Sequence, residues 1–189
     1  MHKAHFIFYS AILLYHKFKI NIMKKLLFVA FLAIVGLSKT NAQEGVLNGG
    51  FNVGIPTGDV SDLTSFTLGA ELNYMFPVAQ GFTLGPSVQY SHFFGKDVDL
   101  VGGGTLEVSD ASFLPISGAA RFNVSDSFVL GANIGYAVGL NDGNDGGFYY
   151  RPIVGYKIGD TTQLNLSYSG ISNDGLTFSN VSLGVMFGI

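Results

Sequence analysis

From residue 47 to the end of the chain, hydrophobic residues alternate with small or polar ones at a period of two. Phe66, Leu68, Ala70, Leu72, Tyr74 and Phe76 share one parity, and Thr67, Gly69, Glu71, Asn73 and Met75 hold the other. Successive side chains of a strand point to opposite faces, so this stretch predicts a strand with one greasy face and one mostly small, polar face. The pattern recurs over 82–94, 128–138 and 148–158, and in shorter form over 47–55, 114–124, 164–168 and 181–189. Eight strands are expected.

The connections alternate in length. Those at 56–64, 95–110, 141–147 and 170–175 are long, and those at 77–81, 125–127 and 159–161 are short. Seven connections between eight strands put both chain ends on the side of the short turns. Short turns at one end and long loops at the other is the layout of an outer-membrane barrel with an even number of strands.

The direction of the greasy face separates this reading from a soluble barrel with an apolar interior. An eight-stranded barrel is just wide enough for side chains to fill or to hold one small ligand, and the apolar parity carries too many bulky residues for that space. The opposite parity is mainly Gly, Ser, Thr, Asn and Ala, with only Glu71, Arg121, Arg151 and Lys157 charged. That is too little charge for a wetted surface, so the greasy face looks at lipid. Aromatic residues cluster near both strand ends, with Tyr74, Phe82, Phe128 and Tyr156 at one and Phe66, Tyr90, Phe94 and Tyr150 at the other. They match the two interfacial girdles of membrane barrels. Pro86 and Pro152 fall inside strands, where no ladder bond can be donated, and Phe113-Leu114-Pro115 blurs the parity of the fourth strand, which predicts a bulge there.

Charge changes the picture at the front of the chain. Six of the ten basic residues precede residue 43 and all thirteen acids follow it, which leaves four basic against thirteen acidic residues, a balance of −9, from Gln43 onward. Met23-Lys24-Lys25, a twelve-residue apolar run over 26–37 and the small residues Thr40-Asn41-Ala42 form a secretion signal ending before Gln43. Residues 1–22 read as a start assigned too early or as an extended leader, 23–42 as the signal peptide and 43–189 as the exported barrel domain of 147 residues. The acidic balance argues against a nucleic-acid partner, and the absence of Cys removes disulfides, Cys-ligated zinc and thiol nucleophiles.

The signal peptide, the segment Gly54-Ile55-Pro56-Thr57-Gly58-Asp59 and the eight alternating strands resemble the OmpA-like outer-membrane β-barrel, or porin-family, domain of Gram-negative bacteria. In that family such a Pro-Thr-Gly-Asp stretch closes the first strand and opens the first outer loop. The chain end resembles the last-strand signal read by the outer-membrane barrel assembly machinery. Leu183, Val185 and Phe187 fit its alternation, and Ile189 stands where the family usually carries an aromatic. The resemblance implies an all-β, eight-stranded antiparallel up-and-down transmembrane barrel, integral to the outer membrane, with both mature ends in the periplasm. Outer-membrane lipids and lipopolysaccharide are the implied surroundings.

The candidate chemistry is confined to the lumen and the loops. Glu71 shares the inner face with Arg121, Arg151 and Lys157, and charges in a narrow lumen must pair or meet water. A Glu71–Arg121 or Glu71–Arg151 ion pair, completed by Gln89, Asn73, Asn133, Asn165 and Asn180, is expected to fill the interior and fix one register. A gate or narrow ion path is the alternative. The long loops hold nine acids (Asp59, Asp62, Asp97, Asp99, Glu107, Asp110, Asp142, Asp145 and Asp174), a rim suited either to divalent cations shared with lipopolysaccharide phosphates or to repelling anionic partners. The run 141–146 lacks the spacing and distal Glu of a calcium loop, and Gly102-Gly103-Gly104 has no Lys or helix to cradle phosphate. Ser91 and His92 are adjacent on a strand, point to opposite faces and cannot form a nucleophile–base pair. No cofactor, metal site or catalytic residue is expected. A structural or surface-interaction role leads, with a small-solute pore second. A lipid-modifying enzyme is third, because it needs a pair formed across strands and the sequence displays none.

Overall fold

The computed structural model describes residues 44–99, 104–173 and 175–189. The leader, the signal segment, Gly102, Gly103 and Asp174 lie outside the described residues. The strands are β1 (Val46–Thr57), β2 (Thr64–Ala79), β3 (Phe82–Gly95), β4 (Val98–Asp99), β5 (Thr105–Leu106), β6 (Ala111–Asn123), β7 (Phe128–Gly139), β8 (Gly147–Ile158), β9 (Thr162–Asn173) and β10 (Leu176–Gly188). Eight of them pair antiparallel in chain order, and β10 returns to β1, from Asn48 opposite Gly188 to Thr57 opposite Ser179. The short strands β4 and β5 pair only with each other. The result is the expected closed up-and-down barrel, with no free sheet edge.

The period of two decides which way each side chain looks. Phe51 is 67% exposed, Ile55 71% and Leu183 64%, whereas Asn52, Gln89, Asn133 and Ser182 on the other parity are buried. An outer wall of exposed large hydrophobics around a polar inside is the inverse of a soluble barrel, and it requires lipid outside. Neighbouring rings on that wall meet in pairs near both rims. Phe66 stacks on Phe94 at 4.1 Å between centroids, and Phe128 meets Tyr156 edge-on at 5.2 Å.

Three details differ from the sequence reading. β6 carries no bulge: its registers with β3 and with β7 run without a shift through Phe113, Leu114 and Pro115. The blurred parity arises because Phe113 and Pro115 both turn inward, where they are fully buried. Register shifts occur instead between β2 and β3, at Thr64/Thr67 and at Pro77/Ala79. The connection over 170–175 is also not a long loop, because β9 and β10 stay paired out to Asn173 opposite Leu176. Pro86 and Pro152 each interrupt the ladder on one side, toward β2 and β9, while pairing continues opposite Gly118 and Ala132 on the other.

The long connections are organised as well. A one-turn 3-10 helix, Gly58–Val60, begins the β1–β2 connection with Gly58 at φ 63, a backbone region that glycine enters without strain, and drops Val60 into the barrel mouth. Lys96 ties the next loop to it, donating from Nζ to the Ser61 carbonyl at 3.0 Å.

Candidate functional site in the barrel lumen

The inner face is filled in layers. At mid-barrel lies Glu71 of β2, whose two carboxylate oxygens are used differently. Oε2 receives Arg151 Nη1 of β8 at 2.6 Å, across the lumen. Oε1 accepts from Ser87 Oγ at 2.9 Å, Asn73 Nδ2 at 3.0 Å and Asn133 Nδ2 at 3.2 Å. Glu71, Arg151 and Asn133 are each 3% exposed or less. A carboxylate so far from water needs that many donors, because burying an unpaired charge costs far more than the attraction of one partner returns.

Arg151 is satisfied at two further points. Nη1 also donates to Gln89 Oε1 at 2.7 Å, and Nε donates to Ser167 Oγ at 2.9 Å, which sits 2.9 Å from Ser182 Oγ. The guanidinium thus joins β2, β3 and β9 from its place on β8. Arg121 of β6 approaches from the short-turn side. Its Nη1 donates to Asn133 Oδ1 at 2.7 Å and to the Ala120 carbonyl at 2.9 Å, while Nη2 stands 3.6 Å from Glu71 Oε1 with no hydrogen-bond partner of its own. Asn133 therefore bridges a cation on its oxygen and the carboxylate on its nitrogen. Gly131 opposite Arg121 makes this possible, since a side-chain carbon there would lie 2.6 Å from the Arg121 Cδ.

Of the two ion pairs left open by the sequence, the structure brings both partners to Glu71, with Arg151 closer by 1.0 Å. Lys157 stays apart, near the short turns. It lines a cavity of about 730 Å³ of mixed polar and apolar lining, with Asn73, Thr83, Arg121, Asn165 and Asp160 among others. Asn180 and Ser169 hydrogen-bond in the layer toward the long loops, and Asn180 Nδ2 donates to Thr67 Oγ1 at 2.5 Å.

The sequence reading missed what lies above that layer. Phe93, Phe113, Tyr149 and Ile171 turn inward and pack with Val60, Ala137 and Phe178 into an apolar cap across the long-loop end. Phe113 meets Phe178 at 5.0 Å and Phe93 edge-on at 5.9 Å. Tyr149 joins cap to network, with its hydroxyl donating to Gln89 Oε1 at 3.1 Å. The signal was present in the doubled aromatics Phe93-Phe94 and Tyr149-Tyr150, since two adjacent rings on a strand must serve both faces.

Ser91 and His92 face opposite ways, as expected. Ser91 Oγ accepts from Gln89 Nε2 at 2.8 Å inside, while the His92 ring meets Phe94 at 4.2 Å outside. Two of the rim acids are not free: Asp59 Oδ2 accepts the Thr177 amide at 3.0 Å and Asp110 Oδ1 accepts the Gly95 amide at 2.8 Å. The last-strand residues Leu183 and Val185 face outward on β10 opposite Val53 and Phe51, and Ile189 is 78% exposed at its end.

No protein-family model matches the chain, and no curated protein does. Solved structures do. Ail, the attachment invasion locus protein of Yersinia pestis, aligns with a TM-score of 0.51 at 13% identity, over 78% of this chain and all of that one (100%). A de novo designed transmembrane β-barrel aligns at 0.50 with 15% identity, over 79% and 100%. Neisserial surface protein A reaches 0.46 at 12% identity, over 79% and 100%. At such identities the likeness is one of fold. The chain folds as a small, closed eight-stranded β-barrel like that of Ail.

Proposed function

We propose that this protein is an integral outer-membrane barrel with a sealed lumen, which serves as a structural and surface-interaction element through its long-loop end. The observation that carries the reading is the 2.6 Å Glu71–Arg151 contact beneath the apolar cap, two consecutive fillings of one narrow interior. A solute path needs water-wide space at every depth, and Arg121 and Asn73, two members of the network, line the inner side of the cavity at the short-turn end.

In this reading the signal over 23–42 is removed, both ends of the mature chain face the periplasm, and the barrel assembly machinery reads Leu183, Val185, Phe187 and Ile189. The long-loop end meets lipopolysaccharide, with the rim acids sharing divalent cations with its phosphates. The absence of Cys makes orientation directly testable. A Ser109→Cys variant should react with a membrane-impermeant maleimide on intact cells, and an Asp160→Cys variant only after the outer membrane is permeabilised. The reverse pattern would overturn the orientation, and equal labelling of both on intact cells would overturn membrane integration.

A further inference from the structure

The barrel wall brings together, across two strands, a set of side chains that no single stretch of sequence displays. His92 of β3 and Ser112 of β6 are directly opposite each other in the ladder. His92 Nδ1 lies 2.8 Å from Ser112 Oγ, and His92 Nε2 lies 3.2 Å from Asp110 Oδ2. The cross-strand pair missing from the sequence is therefore present in the fold. We propose that Ser112, His92 and Asp110 form a nucleophile–base–acid relay that hydrolyses carboxylic esters of lipid acyl chains at the long-loop membrane interface.

The geometry assigns each role. A carboxylate accepts but does not donate, so Asp110 beside Nε2 favours the tautomer with its proton on Nε2. The Nδ1 lone pair then faces the Ser112 hydroxyl at 2.8 Å, as a general base requires, with the Tyr90 hydroxyl a longer second neighbour at 3.3 Å. Asp110 is itself held by the Gly95 amide on its other oxygen, which makes it a positioning residue. Ser112 is fixed by its backbone: its amide donates to Asn141 Oδ1 at 2.6 Å, and its carbonyl accepts from the Leu140 amide at 2.9 Å. Tyr90 Oη stands 3.3 Å from Ser112 Oγ, which puts a phenolic donor beside the carbonyl that Ser112 would attack.

Location selects the substrate. His92 sits between Tyr90 and Phe94 on the outer wall, in the aromatic belt beneath the long loops. Such belts lie at headgroup level, where the ester carbonyls of membrane lipids also lie. Leu68, opposite His92 on the other side of β3, is 44% exposed and gives an acyl chain an apolar track along the wall.

The chemistry closes with water as co-reactant. Ser112 Oγ bonds to the acyl carbonyl carbon as its proton passes to His92 Nδ1, and Tyr90 faces the resulting oxyanion. The carbon–oxygen bond to the lipid alcohol then breaks, and that oxygen takes the proton from His92. Water adds to the acyl-serine with its proton going to His92, and Ser112 leaves with the proton returned. The products are a fatty acid and a lipid one acyl chain shorter.

The inference rests on the membrane-barrel reading, and its test separates the two. Full-length protein is extracted from membranes in mild detergent, and a cold-versus-boiled gel shift verifies that the barrel is closed. An alkyl fluorophosphonate should then add to one serine, mapped by mass to Ser112. Fatty acid release is followed from phosphatidylethanolamine vesicles in one arm and from lipopolysaccharide in the other, and the more active arm names the source of the ester. Ser112→Ala and His92→Gln should each lower turnover by about 10³-fold or more. Asp110→Asn and Tyr90→Phe should lower kcat by about 10²-fold with KM unchanged, which a merely structural role would not do. Gel-shifted barrel that takes no probe, labelling that survives in Ser112→Ala, or release in neither arm would overturn the proposal while leaving the barrel standing.

Discussion

Glu71 and Arg151 meet at 2.6 Å in the middle of the barrel, eighty residues apart in the chain and almost directly across the lumen. Neither can be rehydrated without opening the barrel, so the pair and its ring of amides and hydroxyls act as a single unit. A one-residue slip of β2 or β8 would turn its charged residue outward into lipid, so the same contact also fixes the register.

Replacing Glu71 by Gln leaves Arg151 and Arg121 buried without a counter-charge. Loss of one partner from such a pair costs about 3–5 kcal/mol, and the folding midpoint in urea, read by gel shift, should fall accordingly. Arg151→Met should cost less when added to Glu71→Gln than when made alone, because both act on one network.

The apolar cap should behave as packing. Phe113→Ala removes a fully buried ring and should cost about 3–5 kcal/mol of stability. Because the ionic layer beneath is left whole, that variant should still pass no current in a planar bilayer.

The outer wall should show the depth dependence of a lipid-facing surface. Leu166 pairs with Leu183 and Val154 in an all-aliphatic part of the wall, so Leu166→Lys should cost about 2–4 kcal/mol on folding into vesicles. Ile158 ends β8 beside a short turn, and the same change there should cost about 0–1 kcal/mol.

If the last strand is read by the assembly machinery, Phe187→Ala should lower the amount of barrel recovered in outer membranes and leave spontaneous refolding into detergent intact. Equal loss in both settings would assign Phe187 to barrel stability alone.

The fold was legible because a barrel wall is written in one variable. Every residue from Phe66 to Phe76 declares its face by parity, and the connections other than 170–175 declare their ends by length. Parity also put Glu71, Arg121 and Arg151 in one lumen, but it could not choose a partner, since that depends on how far around the barrel and how deep each residue lies. The cap escaped because parity alone does not show that Phe93, Phe113 and Tyr149, on three different strands, reach the same depth of the lumen. The Ser112–His92 contact lay further out of reach, since it needs the β3–β6 register, and a long intervening loop leaves that register open.

The proposed function requires a closed barrel whose lumen does not conduct. The most direct test is single-channel recording in a planar bilayer of the chain from Gln43, refolded in detergent and checked for closure by a cold-versus-boiled gel shift. Silence from gel-shifted protein is the predicted result. Discrete current steps from that same protein would contradict the account, and would turn Glu71, Arg151 and Arg121 from a seal into the lining of a pore.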